Sequence, residues 1–333
     1  MPTDEIVSEE AIIQGFLAPL AAGFPGAFGL RDDCAVAAPS AGHEFVFKTD
    51  AIAEGVHFLS TDHPRDIGWK ALAVNVSDLA AKGARPVGYL LSLAFPAPPT
   101  RDWMAEFSAG LAEAQAAFGI HLIGGDTDRR PGPISITPMV FGEAPAGRMV
   151  RRTTAQAGDI VFVSGTLGDA ALGLQLRRQR QLGLRWRLSR EHVATLEGRY
   201  LRPQPRLALA AVLQAHARAA MDISDGLLKD LGRMCRASGV GARVELAKVR
   251  FSPAFDTVRA TDPAAAAAAM FAGDDYEILS AVPPDHAAAY HAAAAAAGIG
   301  VTAVGQFETG EQLHLLDAQG RQVLIGSSGW DHF

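Results

Sequence analysis

Carboxylates are the residues of this sequence that could do chemistry. Six places share one design: an aspartate beside Gly, Ser, Thr or a second aspartate, set where an element is expected to end. They are Asp32-Asp33, Thr49-Asp50, Ser77-Asp78, Gly125-Asp126, Ser224-Asp225 with Asp222, and Asp274-Asp275. Strand ends and the loops after them are where α/β folds build sites. Asp and Thr oxygens are hard ligands that suit Mg2+, which keeps several waters and meets substrate phosphates through one or two carboxylates. Acids gathered in one place repel unless cations stand between them. Each acid taken alone is more often a cap or a turn residue. A shared site requires them to meet in space, and spacing does not show that.

Other chemistries find no support. Gly165-Thr-Leu-Gly-Asp169 lacks the lysine of a P-loop, and Gly124-Gly-Asp-Thr127 is not a dinucleotide fingerprint. There is no G-x-S-x-G elbow and no H-E-x-x-H helix, and the 10 histidines show no ligand spacing. Read from its residues alone, the chain is a Mg2+-dependent enzyme acting on phosphates.

The elements that must position these acids are legible. The stretch Asn75-Val-Ser-Asp-Leu-Ala-Ala-Lys-Gly83 ends a small-residue helix, with Asp66 as a candidate cap and Gly83 as its stop. Asn75 and Asp78, three apart, share one helical face, and Ala71, Ala73, Ala80 and Ala81 let a neighbouring backbone pack close. Such polar groups on an apolar helix meet either solvent or something that needs oxygen ligands. Residues 44–50 read as a strand ending in Thr49 and Asp50, and 87–95 as a buried strand. Thr100 caps a helix with Trp103, Phe107, Leu111, Ala114 and Phe118 at helical spacing. Strands follow at 121–127 and 134–142. Turn residues and arginines over 145–158 mark a boundary, giving domains 1–150 and 151–333. The second half continues with strands near 159–165, 221–226, 241–246, 273–279, 301–307 and 313–317, separated by helices. Strands and helices mix in both halves, so the class is α/β or mixed α+β.

Composition narrows the class of partner. The 333 residues are 49% hydrophobic and 20% charged, enough for two domains with sizeable cores. A net charge of −6 argues against nucleic acid, and the arginine-rich stretch 177–190 reads as a solvated helix face. No uncharged apolar run is long enough to span a bilayer, and no basic-then-apolar leader opens the chain. The 2 cysteines fit a reducing cytoplasm.

Taken together, the motifs resemble the thiamine-monophosphate kinase family, in the superfamily of aminoimidazole ribonucleotide synthetase. The matching stretches are Asp32-Asp-Cys-Ala-Val, Thr49-Asp-Ala-Ile-Ala-Glu-Gly-Val-His-Phe, residues 70–84, Ile123-Gly-Gly-Asp-Thr and Gly168-Asp-Ala-Ala-Leu-Gly-Leu. Pro203-Gln-Pro-Arg, Asp222-Ile-Ser-Asp-Gly-Leu, Gly273-Asp-Asp-Tyr-Glu-Ile and the terminal Trp330-Asp-His-Phe follow in the same order. The resemblance implies transfer of a phosphoryl group from ATP to thiamine phosphate. It also implies a two-domain aminoimidazole ribonucleotide synthetase-like fold and a homodimer whose N-terminal sheets join into a barrel. The N-terminal domain would bind ATP and Mg2+ and carry the dimer contact. Carried over by motif, Asp33, Asp50, Asp78, Asp126 and Asp222 would hold Mg2+, with Thr49 assisting and Asp225 holding a further ion. Gly125, Arg152 and Ser224 would contact ATP. His57, Asp274 and Phe333 would contact thiamine phosphate.

Three positions depart from the family pattern. Arg31 replaces a glycine before the acidic pair, Lys48 stands where Ser or Thr is common, and Asp274 replaces a glutamate. The implied acceptor is itself an anionic phosphate and needs no strong base, so no catalytic side chain is expected, only alignment and charge neutralisation. The alternatives are another ATP-dependent synthetase of the superfamily and a catalytically silent nucleotide-binding protein on this fold.

Overall fold

A computed structural model describes residue 6 and residues 8–323. The terminal Trp330 and Phe333 lie outside the described residues. Contacts divide the chain into two units, Met1–Leu79 with Ala84–Gly147, and Ala80–Gly83 with Arg148–Phe333.

In the first unit, the apolar run around Leu91 becomes the middle of a sheet. Its strands are β1 (His43–Thr49), β2 (Ile52–Ala53), β3 (Arg85–Phe95), β4 (His121–Arg129) and β5 (Ser135–Pro145). They run in the order β1-β5-β3-β4, with β2 also on β5. Only β3 and β4 are parallel. A parallel pair needs a crossover connection, and the apolar-striped helix after Thr100 supplies it.

Short helical turns lie between Glu9 and Leu30, and the two long helices of this unit are α1 (Pro64–Ala81) and α2 (Arg101–Phe118). The Thr100 side chain accepts from Trp103 N at 3.2 Å, and Gly119 ends α2 at φ 65°. The expected cap of α1 is corrected. The helix begins at Pro64, and Asp66 lies in its first turn. Proline is pre-shaped for a first helical position, and the Asp66 charge suits the helix N-terminus. At the other end Gly83 takes φ 70°. There Gly83 N bonds Ala80 O at 3.0 Å and Ala84 N bonds Leu79 O at 2.9 Å, closing the last carbonyls as expected. The closest approach of the two helices is made by glycines. A Cβ on Gly68 would lie 2.4 Å from Phe107 O, and one on Gly110 would lie 2.0 Å from Arg65 O. Ala71, Ala73, Ala80 and Ala81 of α1 are all buried.

In the second unit, β6 (Ile160–Ser164), β7 (Ala219–Ile223), β8 (Gly241–Glu245), β9 (Glu277–Val282), β10 (Val301–Glu308) and β11 (Leu313–Leu316) form one sheet. Their order is β11-β8-β10-β6-β9-β7, antiparallel except for β11 on β8. Helices α3 (Asp169–Arg178), α4 (Arg190–Leu201), α5 (Ala210–His216) and α6 (Leu227–Ser238) carry the polar groups considered below. Val161, Met221, Leu231 and Leu279 share one core, and Phe162, Leu213, Ile278 and Tyr290 share another. The last turn of α1 belongs to this second core through Ala81. Lys82 donates to Ala220 O at 2.7 Å and Gln214 to Gly83 O at 2.6 Å. The arginine-rich stretch wraps the buried Trp186, leaving its charges outward around an exposed Leu184. Both units mix sheet and helix, which is the mixed α/β class expected from the sequence.

Candidate functional site

The end of β1 sets up the first group of acids. Asp50 follows the last strand residue, where its backbone leaves the β5 ladder. Asn75, fully buried on α1, takes over that pairing. Its Oδ1 accepts from Asp50 N at 2.7 Å, and its Nδ2 donates to Asp50 O at 3.1 Å and to Ala71 O at 3.1 Å. A side-chain amide thus continues the ladder for one residue and fixes the direction in which Asp50 projects. Asp78, three residues on along α1, meets neither bulk solvent alone nor a metal ligand set. Lys48 Nζ lies 2.9 Å from Asp78 Oδ2 and 2.9 Å from Asp50 Oδ2. Burial alone would lower the Lys48 ammonium. The charges and hydrogen bonds of Asp78 and Asp50 outweigh it and hold the ammonium above its ordinary value.

The other expected residues of the first unit spread along the sheet. Thr49 donates its hydroxyl proton to Pro138 O at 3.0 Å, which leaves the oxygen lone pairs available. Gly125 and Asp126 lie opposite Leu91 and Ser92 across the β3–β4 pair, and both are exposed. A Cβ on Gly125 would sit 2.0 Å from Leu91 O, so only glycine fits there. Between β1 and β4 stand β5 and β3. Three strand spacings separate the two ends, about 14 Å along the sheet. Asp33 is exposed in the loop before β1. Arg31, the first departure, has φ −108°, a conformation open to any residue, so the missing glycine costs the backbone nothing. His57 accepts from Ala53 N at Nδ1, 3.1 Å away, which places the proton of a neutral ring on Nε2.

In the second unit two motifs come together. The turn after β7 and the loop before β9 are joined by Asp274 N to Ser224 O at 2.8 Å and Tyr276 N to Ile223 O at 2.8 Å. A Cβ on Gly273 would lie 2.1 Å from Ser224 O. This contact is why glycine opens the Gly-Asp-Asp-Tyr-Glu run. Asp274 takes φ 71°, which Asp tolerates better than most residues, and its Oδ1 accepts from Tyr276 Oη at 3.0 Å.

The other two acids of that run turn inward. Asp275 accepts from Gly168 N with both oxygens, at 2.8 and 3.1 Å. Burial raises its carboxyl far above the ordinary range, against the opposing charge of Arg199. Asp169 nearby is also raised by burial, although Ser252 Oγ at 2.6 Å and Thr166 Oγ1 at 2.9 Å donate to it. Glu277 accepts from Ser164 Oγ at 2.6 Å and Arg206 Nε at 2.7 Å, and Arg199 closes the group. Burial alone would raise Glu277. Arg206 and Arg199 reverse the sign and hold it low.

The turn that carries Ser224 and Asp225 rests on a residue outside every motif of the sequence. Asp230 on α6 accepts from Ser224 N at 3.0 Å and Asp225 N at 2.9 Å through Oδ2. Arg233 Nη1 bridges Asp230 Oδ1 at 2.7 Å and Asp225 Oδ2 at 2.5 Å. Burial lifts the Asp230 carboxyl to about 6. Asp225 therefore already has a protein cation. Asp222 is buried on β7, opposite Ile278 of β9. Arg152 is exposed, and its carbonyl accepts from Ser238 Oγ at 3.1 Å.

Among the described residues, no three His, Cys, Asp or Glu gather closely enough to hold a metal by themselves. The first unit brings Asp50 and Asp78 together and leaves Asp33 and Asp126 apart from them. The second brings Ser224, Asp225 and Asp274 together. Phe333 lies outside the described residues. The donor chemistry still fits Mg2+, because the Asp50 and Asp78 oxygens converge on one point that a cation takes.

Comparison with known proteins adds the following. Residues 31–144 match the family model of the AIR synthase related protein N-terminal domain, and residues 156–317 match that of the C-terminal domain. Thiamine-monophosphate kinase of Caulobacter vibrioides is 38% identical over 323 residues, covering 96% of this chain and 89% of that protein. The crystal structure of thiamine-monophosphate kinase from Stenotrophomonas maltophilia superposes with a TM-score of 0.77 at 38% identity, covering 86% and 89% of the two chains. A structure of AaThiL complexed with AMPPCP and TMP has a TM-score of 0.77 at 31% identity, covering 89% of each chain. No helix among the described residues is long and apolar enough to cross a membrane.

Proposed function

The chain belongs to the thiamine-monophosphate kinases of the AIR synthase related family, and we propose that it transfers the terminal phosphoryl group of ATP to thiamine phosphate, giving thiamine diphosphate and ADP. The observation that carries this reading is the likeness, along nearly the whole chain, to relatives of that name, one of them bound to AMPPCP and TMP.

The acceptor phosphate is already anionic near pH 7, so the reaction needs little general-base help. Its main barrier is repulsion between two anions brought into line. Mg2+ would be held by Asp33, Asp50, Asp78 and Asp126 with Thr49, and by Asp222 and Asp225, and when bound it neutralises phosphate charge. The rest of the work falls to the chain. Asn75 fixes Asp50 by two hydrogen bonds and is itself anchored on Ala71 O by a third, so the acid does not have to be ordered when phosphate arrives. Gly125 is exposed on β4 and would meet ATP there, and Ser224 sits on a turn pinned by Asp230. The Arg152 guanidinium is free to reach ATP from the surface. His57 would contact the acceptor phosphate. Asp274, held by Tyr276, offers a carboxylate to the cationic thiazolium, and Phe333 an aromatic face. No side chain is assigned as a catalytic base.

The division of labour expected for domains 1–150 and 151–333 belongs to this reading. So does a C2 homodimer through the first unit, its sheets joining into a barrel. Strand β1 lies at a sheet edge, and Phe47 on it is 63% exposed while contacting Phe45 and Phe141. Sedimentation should find about twice the 35.0 kDa of one chain. A species of single mass at micromolar concentration rejects the dimer. A cytoplasmic setting completes the reading.

The deciding assay incubates purified protein with ATP, Mg2+ and thiamine phosphate and separates the products. Thiamine diphosphate and ADP should appear in equal amounts. ADP without thiamine diphosphate would favour another synthetase of the superfamily, and neither product would favour a silent nucleotide-binding protein.

A further inference from the structure

The cation between Asp50 and Asp78 is a side chain. Lys48 Nζ stands 2.9 Å from an oxygen of each acid. All three residues are anchored independently. Lys48 is in the β1–β5 ladder opposite Val140, Asp50 is clamped by Asn75, and Asp78 is on the buried helix α1. Lys48 and Asp50 are two apart, so they project to the same side of the strand. The contact is therefore built into the fold and does not depend on a chance rotamer of a surface lysine. It also has a chemical consequence. An ammonium and a divalent ion cannot occupy one point, and the lysine leaves the pair with a net charge of −1 in place of −2.

We propose that Lys48 is a resident counter-cation, holding between Asp50 and Asp78 the place that a free divalent ion would otherwise take. The proposal rests on the phosphoryl-transfer reading, in which this pair receives Mg2+. It goes further in saying that the pair does not load free metal. A divalent ion gains enough charge here only in company with nucleotide phosphates, so in nucleotide-free protein the lysine halves the charge at this end of the sheet. Lys48 is in this sense a positioning residue. It keeps two like charges 2.9 Å from a common centre while the site waits for substrate.

The test is a calorimetric titration of nucleotide-free protein with Mn2+ alone. Four proteins are compared: wild type, Lys48→Met, Asp78→Asn and the double variant. Lys48→Met should gain one ion per chain, or bind Mn2+ about tenfold or more tightly, because the unscreened pair attracts it. The double variant should lose that gain. Asp78→Asn alone should titrate like wild type, since the lysine already excludes metal from the pair. Identical isotherms for wild type and Lys48→Met overturn the proposal, and so does weaker Mn2+ binding by Asp78→Asn alone. If Lys48→Met does not fold, the comparison of Asp78→Asn with wild type still decides. Failure of the thiamine phosphate assay would remove the functional reading, but the isotherms test Lys48 in either case.

Discussion

Two groups of acids, one in each unit, are written in nearly the same local code and do opposite things. Asp50 and Asp78 are partly open to solvent and share a single lysine. Asp169, Asp275 and Glu277 are buried and are satisfied by two arginines, two serines, a threonine and a backbone N–H. The first group has spare oxygens and an incomplete set of partners. The second has none to spare. An aspartate beside glycine at an element end therefore says little until its partners are counted. The open group can recruit a ligand, and the closed group ties the loop at Gly168 to β9.

The sharpest way to break this comparison is to cut the closed group. Glu277→Ala leaves Arg199 and Arg206 facing each other in the interior. Removing one partner of a buried pair costs about 3–5 kcal/mol. Melting should fall by roughly 10 °C, and loss of activity should follow loss of folded protein. Near-normal melting would show that the group is not closed.

Cutting the open group should do the reverse. Asp78→Asn leaves Lys48 paired with Asp50, and a partly exposed ion pair is worth about 1 kcal/mol or less. Melting should barely move. Turnover of thiamine phosphate should drop by about a hundred- to a thousandfold, the scale of losing a charge that aligns and neutralises reacting phosphates. Wild-type turnover at limiting Mg2+ would take Asp78 out of the site.

Asp230 stands between the two kinds, buried like the closed group but supporting a turn of the candidate site. Its folded value of about 6 lies above the ordinary aspartate value. The folded chain thus holds a proton that the unfolded chain releases. Stability contributed by this group is present below about pH 4 and is lost as pH rises through about 6, by at most about 3 kcal/mol. Against Asp230→Asn, the wild type should lose melting temperature between those pH values. Equal slopes for the two proteins would refute the assignment.

The sequence made the elements legible where the physics is local. Thr100 accepts from the backbone N–H three residues on, and Gly83 takes the left-handed turn that ends α1. Alternation and apolar runs located the strands of both sheets to within a few residues, except the two-residue β2. Partners distant in the chain were not legible. Nothing near Asn75 says that it will clamp Asp50, and nothing near Glu277 points to Arg199 or Arg206. Asp66 failed as a cap because Pro64, two residues earlier, is a better start. Asp274 and Asp275 look alike in the sequence. A left-handed φ at Asp274 sends one carboxylate outward, and Gly168 draws the next one in.

That left-handed residue supplies the smallest and most discriminating expected effect. Asp274 sits at φ 71° with Oδ1 held by Tyr276 Oη at 3.0 Å. Asp and Asn bear this conformation because a short polar side chain can bond locally, whereas a longer one bears the strain of about 1 kcal/mol. Asp274→Asn keeps the conformation and loses the charge. Asp274→Glu keeps the charge and loses the conformational fit. If the residue acts through its carboxylate on a cationic ring, Asn should raise KM for thiamine phosphate several-fold, leaving KM for ATP and the melting temperature unchanged. Glu should lower melting by about 2–4 °C and change KM less. A residue that serves only the turn would give the opposite pattern, with Asn silent in both measurements and Glu costly in both. The two variants separate a site acid from a structural acid at one position, the same distinction that divides the two acid groups.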